Sequence, residues 1–86
     1  MRNRPMKSEA DVKIINEWMK SPHATPVRMH SSRKYQAVGW LQRNLEPGRW
    51  KFERWTDLYE HTAWFPNERL AYFFETRCLD SKEDRP

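Results

Sequence analysis

The residues best suited to a chemical role in this chain are five cations in a stretch without acids. Between Glu17 and Glu46 there is no Asp or Glu, and the basic residues there are Lys20, Arg28, Arg33, Lys34 and Arg43. Lysine and arginine bind phosphate groups because each contact releases condensed counterions, and arginine also offers a planar pair of donors. The stretch therefore predicts a surface that attracts a polyanion.

Aromatic and polar side chains alternate with these cations. Tyr35 follows Lys34 directly, and an exposed tyrosine ring can stack on a nucleic-acid base. We therefore predict a small, basic nucleic-acid-binding protein, for DNA or RNA, with contacts at Lys20, Arg28, Arg33, Lys34, Tyr35 and Arg43. The alternative is that the cations form a solvated face, with Tyr35 and Trp40 in the core.

Five tryptophans in so short a chain favour a second class of function, which is protein binding. They are Trp18, Trp40, Trp50, Trp55 and Trp64. Tryptophan and arginine dominate the energetics of protein–protein interfaces. A phage-type or mobile-element-type regulator that docks on an acidic host enzyme as an inhibitor or adaptor would have this composition. The alternative is that the five tryptophans form the core of a small sheet.

Metal and cofactor sites have little support in the sequence. His23, His30, His61 and Cys78 could supply four zinc ligands, but their spacings match no zinc finger. The two glycines are nine residues apart, so no glycine-rich phosphate loop can form. We expect neither a metal nor a cofactor, and no small-molecule substrate.

A catalytic role remains the third hypothesis. Asp57 and Glu60 lie close to His61 in sequence, but neighbouring positions on a strand point to opposite faces of the sheet. A toxin-type ribonuclease needs only an acid, a base and positive charge, because the RNA 2′-hydroxyl is its own nucleophile. His61 or an arginine would then be essential. We nevertheless predict binding without catalysis.

Length and composition bound these hypotheses. The chain has 86 residues and a net charge of +4, which fits a single domain over residues 1–86 with flexible tails at 1–7 and 80–86. Mean hydropathy is only −1.11, yet aromatic residues make up 14% of the chain, so we expect it to fold. Doubly wound nucleotide-binding folds and (β/α) barrels are too large for it.

Cysteine usage and apolar runs predict a cytoplasmic location. The single Cys78 cannot form an intramolecular disulfide, so a secreted disulfide scaffold is not expected. We find neither an apolar run typical of a signal peptide nor one that could cross a membrane.

The first half of the chain predicts helices around one short strand. Ser8 to Asp11 resembles a capping box, and apolar residues recur at helical spacing after it, so we predict a helix at 8–20. Alternation over 27–30 predicts a short strand. Residues 33–45 fit a helix, although Gly39 lowers helix propensity and part of the segment also fits a strand.

The second half predicts an antiparallel meander. Residues 46–49 predict a type II turn, with a positive φ at Gly48. Alternating patterns then predict strands at 50–55, 58–65 and 70–79, with Trp50 and Phe52 on one face and the last strand central.

These elements together predict an α+β fold. We expect a small antiparallel sheet of about three to four strands with one or two helices packed on one face. If residues 33–45 form a strand, the alternative is a small barrel carrying an N-terminal helix.

Overall fold

The computed structural model describes residues 8–79, apart from the side chains of residues 55–57. The elements are α1 (Glu9–Met19), β1 (Thr25–His30), α2 (Lys34–Asn44), β2 (Lys51–Asp57), β3 (Glu60–Phe65) and α3 (Glu68–Phe74). Short helical turns occupy Ser31–Arg33, Pro47–Arg49 and Glu75–Leu79. The predicted α+β class is confirmed. The predicted tails lie outside the described residues.

The three strands form one antiparallel sheet in the order β1-β3-β2. Thr25 pairs with Phe65 and His30 with Glu60, so β1 runs along the whole of β3. β2 and β3 form a hairpin whose pairing shifts between Glu53 and Asp57. One end of the sheet therefore carries the hairpin tip at residues 58–59 together with the end of β1.

Helices cover one face of this sheet and build the core there. Val27 and Met29 of β1 and Ala63 and Phe65 of β3 are buried on that face because side chains alternate along a strand. The helices add the buried residues Ala37 and Leu41 from α2 and Ala71 and Phe74 from α3. As predicted, Trp50 and Phe52 pack into the same cluster.

The opposite face of the sheet is polar. Arg28 of β1 lies 3.4 Å from Glu60 of β3, and Lys51 lies 3.6 Å from Glu53 on β2. Trp64 donates a hydrogen bond from Nε1 to Glu53 Oε1 at 3.0 Å. Antiparallel sheets commonly keep one such face in water.

Helix α1 begins and ends close to the predicted limits. Ser8 Oγ accepts from the Asp11 amide, and Asp11 Oδ2 accepts from the Ser8 amide, so the predicted capping box is present. Trp18 anchors the helix by donating from Nε1 to the Gly48 carbonyl at 2.8 Å. α1 therefore packs on the Pro47–Arg49 turn.

The predicted strand at 27–30 and the predicted helix at 33–45 are both confirmed, as β1 and α2. Gly39 is tolerated in α2 because it lies on the outer side, where Arg43 folds back towards it. An added Cβ at Gly39 would lie 3.2 Å from Arg43 Nη1. The barrel alternative is therefore excluded.

The turn at 46–49 is confirmed, but its predicted type is wrong. The Arg49 amide donates to the Glu46 carbonyl at 2.9 Å, as a tight turn requires. Gly48 does not have a positive φ, and Pro47 instead begins a 3₁₀ turn. An added Cβ at Gly48 would meet Ile14 at 3.4 Å, so this glycine sits against α1.

The predicted strand at 70–79 is wrong. This segment forms α3 and a π-helical turn, and the central strand is β3. Asn67 caps the helix because its Oδ1 accepts from the Leu70 amide at 2.9 Å. Ala71, Phe74 and Cys78 are buried at helical spacing, whereas Tyr72 is exposed. β1 supplies the third strand of the sheet, so the C-terminal meander is only a hairpin.

None of the helices within residues 8–79 combines the length and the apolar run that crossing a membrane requires.

Candidate nucleic-acid interface

The site is built around the start of α2, where the chain leaves the sheet. β1 ends at His30, and the Ser31–Arg33 turn leads directly into Lys34 and Tyr35. The Ser31 amide donates to the Tyr59 carbonyl at 2.8 Å, so the tip of the β2–β3 hairpin lies against this turn. We call the surface formed by Arg33, Lys34, Tyr35, Arg54 and Tyr59 the hairpin-end patch.

Tyr35 is the most exposed of the large hydrophobic side chains among the described residues. Its exposed fraction is 82%, and the Lys34 Nζ lies 5.0 Å from the centre of its ring. That distance is within the range of a cation–π interaction. The alternative that placed Tyr35 in the core is therefore wrong, and its ring faces solvent beside the half-buried Lys34.

Tyr59 presents a second ring at the hairpin tip. It is 62% exposed, and its ring is stacked on that of His30 with 6.4 Å between the centroids. The His30 ring is itself oriented, because its Nδ1 accepts from the Ser32 amide at 3.1 Å. One face of the Tyr59 ring therefore lies against His30, an exposed residue at the end of β1.

Arg33 has a structural contact as well as its charge. Its Nη1 donates to the Leu79 carbonyl at 3.2 Å, and Gln36 Nε2 donates to the Cys78 carbonyl at 2.8 Å. These two bonds attach the C-terminal helical turn to the start of α2. A guanidinium group has five donors, so this bond leaves Arg33 able to contact a phosphate.

The positive charges of Lys34 and Arg54 both act on the same buried histidine. Burial lowers the pKa of His61 from its ordinary value of 6.5, and the positive charges of Lys34 and Arg54 lower this pKa further. The imidazole is only 1% exposed and meets the Phe52 ring edge-on at 5.4 Å between centroids. Positive charges from α2 and β2 therefore act on the same core residue, His61, whose neutral form they favour.

The other three predicted contacts lie elsewhere. Arg28 is on the polar face of the sheet beside Glu60, and Lys20 is the C-cap of α1. Arg43 lies in the last turn of α2, about 14 Å along the helix from Lys34 at 1.5 Å per residue. The structure thus brings together Arg33, Lys34 and Tyr35 and separates them from Lys20, Arg28 and Arg43.

Sequence reasoning missed Arg54 and Tyr59. Both belong to a hairpin that follows the basic stretch, 20 and 25 positions after Lys34, and only the pairing of β1 with β3 brings that hairpin beside α2. Counting charges along the chain cannot detect such a neighbour. The exposed, apolar residues at the tip, Leu58 and Tyr59, were the one available signal.

The metal and catalytic hypotheses centred on His61, and its burial limits what that side chain can contact. His61 lies on the core face, whereas Glu60 is beside Arg28 on the polar face. A substrate in solution therefore does not reach the imidazole in this structure. Within residues 8–79 no group of three or more His, Cys, Asp or Glu side chains could hold a metal ion.

The four tryptophans whose side chains are described are buried or half-buried, and three of them make contacts that stabilise the fold. Trp50 is 2% exposed, and Trp18, Trp40 and Trp64 are half-buried. Trp18 and Trp64 each donate a hydrogen bond to the protein, and Trp40 packs edge-on against Phe73 and Phe74. The fifth, Trp55, lies outside the described side chains. The exposed aromatic rings at the hairpin end are tyrosines.

Comparison of the chain with protein-family models, with curated proteins and with solved structures found no match.

Proposed function

We propose that this protein binds nucleic acid through the hairpin-end patch and acts without catalysis. The observation that carries the proposal is Tyr35, which is 82% exposed with the Lys34 ammonium group 5.0 Å from the centre of its ring. Arg33 precedes Lys34 in the chain, and the charges of Lys34 and Arg54 both act on His61. Cations bind the phosphates, and an exposed ring offers a face to a base. A cytoplasmic location belongs to the same proposal and fits a chain whose single cysteine, Cys78, is buried.

The electrostatics of α2 support this choice of surface. The helix contains no acidic residue, and its N-terminus carries the partial positive charge of the helix dipole. Lys34 and Arg33 lie at that end. On the polar face of the sheet, by contrast, Arg28 and Lys51 each lie within 4 Å of a glutamate, which offsets their charge towards a polyanion.

The test is the salt dependence of oligonucleotide binding. Binding is measured through the fluorescence anisotropy of a labelled oligonucleotide. In Lys34→Ala and Arg54→Ala, affinity should fall, and the slope of log K against log salt should decrease by about one for each lost phosphate contact. Lys13→Ala and Lys20→Ala are the matched controls, because both cations are exposed and lie on α1. They should keep the slope of the unmodified protein.

Two results would contradict the proposal. The first is the absence of binding at low salt, which would favour a protein partner for the patch. The second is an unchanged slope in both Lys34→Ala and Arg54→Ala. A loss in Lys20→Ala equal to that in Lys34→Ala would instead mean that the whole basic stretch contributes and that the patch is not distinct.

A further inference from the structure

Two exposed tyrosine rings belong to the hairpin-end patch, and the salt-dependence test measures only its phosphate contacts. Tyr35 is 82% exposed at the start of α2, and Tyr59 is 62% exposed at the hairpin tip. Resting on the proposed function, we propose that the preferred ligand is a single strand, and that Tyr35 and Tyr59 stack on its unpaired bases.

The backbone segments that carry the two rings are close together. The Ser31 amide binds the Tyr59 carbonyl, and Tyr35 follows Ser31 by four residues of helical chain. At about 1.5–2.0 Å of rise per residue, the backbone path from Ser31 to Tyr35 covers roughly 6–8 Å. Arg33 and Lys34 occupy the chain between Ser31 and Tyr35, so two cations lie on the backbone path that joins the two tyrosines.

A duplex cannot use these rings in the same way. Its bases are paired and stacked on one another, so their faces are closed to side chains unless a base pair is opened. An unpaired base has a free face, and stacking tolerates any sequence because every base has one. Exposed tyrosine rings beside a cation can therefore stack on the bases of a single strand, but not on the paired bases of a duplex.

The contacts of each ring point to a platform that exists before the ligand binds. His30 is stacked on Tyr59, with 20° between the ring planes, which fixes the orientation of the tyrosine. Lys34 lies 5.0 Å from the Tyr35 ring centre and can pair with a phosphate while remaining near the ring. Because less freedom is lost on binding, such preorganised side chains bind more tightly.

The experiment compares a labelled oligothymidylate, an oligouridylate and a mixed-sequence duplex of the same length. We expect both single strands to bind more tightly than the duplex, and their order to report the preference for DNA or RNA. Tyr35→Ala should weaken single-strand binding by about 5- to 150-fold, the range for loss of one stacked base. Tyr35→Phe, which keeps the ring, should retain most of the affinity.

Tyr72→Ala is the matched control, because Tyr72 is 68% exposed but lies on α3, beside the start of β1. It should bind as the unmodified protein does. Tyr59→Ala should also weaken binding, with thermal unfolding measured in parallel because Tyr59 packs on His30. Tyr35→Ala is safe for folding, since so exposed a ring contributes little to the core.

The outcomes separate this inference from the function on which it rests. Duplex binding equal to or tighter than single-strand binding would overturn the inference, as would full affinity in Tyr35→Ala. Either result, combined with a reduced salt slope in Lys34→Ala, would leave nucleic-acid binding in place as a phosphate contact alone. Failure of all three oligonucleotides to bind would overturn both proposals.

Discussion

At the scale of single residues, His61 shows how burial and charge act on one side chain. It is buried on the core face of β3, where its ring packs against Phe52 and the positive charges of Lys34 and Arg54 act on it. Removing the imidazole from water disfavours its charged form, and nearby cations disfavour it further. His61 is therefore a neutral core residue beneath a basic surface.

This position predicts a pH dependence of stability. The folded-state pKa of His61 lies below 6.5, so between the two values the unfolded chain binds more protons than the folded one. The free energy of unfolding should therefore decrease as the pH falls from 7 through about 6.5 towards the lowered pKa. Urea unfolding at pH 7 and pH 5.5 measures the effect.

The control for this prediction is His23→Gln, at an exposed histidine, which should keep the same pH dependence. His61→Phe, which fills the site with a ring that does not titrate, should show a smaller loss of stability on acidification. The imidazole titration followed by NMR gives the pKa directly in the unmodified protein. A His61 pKa at or above 6.5 would contradict this account.

At the scale of elements, the helices and strands that were predicted correctly are those whose sequence has a single periodic pattern of apolar residues. α1 had a capping box and a helical stripe, and β2 had clear alternation, so both were found where expected. Residues 70–79 fit two periods, since Leu70, Tyr72 and Phe74 alternate while Ala71, Phe74 and Cys78 recur at helical spacing. The hydrogen bond from the Leu70 amide to the Asn67 side chain caps a helix at this point. The alternating pattern of apolar residues predicted a strand instead, and so the helix was missed.

The helical assignment of α3 has a direct mutational test. Phe74→Ala removes a fully buried ring and should lower the free energy of unfolding by about 3–5 kcal/mol. Tyr72→Ala removes a ring of similar size that is 68% exposed, and should change stability by no more than about 0.5 kcal/mol. A strand would place both rings on one face and give similar losses.

Phe74→Ala could unfold so small a protein altogether, because domains of this size have little stability to lose. Phe74→Leu is therefore the second variant, with a smaller but still clear loss in urea unfolding. Equal losses for Tyr72→Ala and Phe74→Leu would contradict the helix.

At the scale of the whole molecule, the fold distributes charge in a way that the chain order conceals. The basic stretch at 18–45 runs along β1, through the start of α2 and to the end of that helix, so its cations point to different surfaces. Lys20 precedes the start of β1, at the end of the sheet away from the hairpin tip, whereas Arg54, much later in sequence, lies on β2 of the hairpin itself. The basic stretch was therefore evident from sequence, but the patch depends on long-range strand pairing.

The same scale explains why the class of fold was easier to predict than the site. Local patterns determine most helices and strands here, and an antiparallel sheet with helices on one face follows from packing their apolar sides. The order β1-β3-β2 depends on which strands meet, and no local pattern specified it. That pairing alone brings Tyr59 beside Ser31 and so defines the patch.

The central claim is that nucleic acid binds at the hairpin end of the molecule. It is tested most directly by titrating the ¹⁵N-labelled protein with an unstructured single strand and following the backbone amide signals. We expect the shifts to concentrate at residues 30–35, at Arg54 and at residues 58–60, with α1 unaffected. Shifts that concentrate on α1 or on the polar sheet face, or no shifts at low salt, would contradict the account.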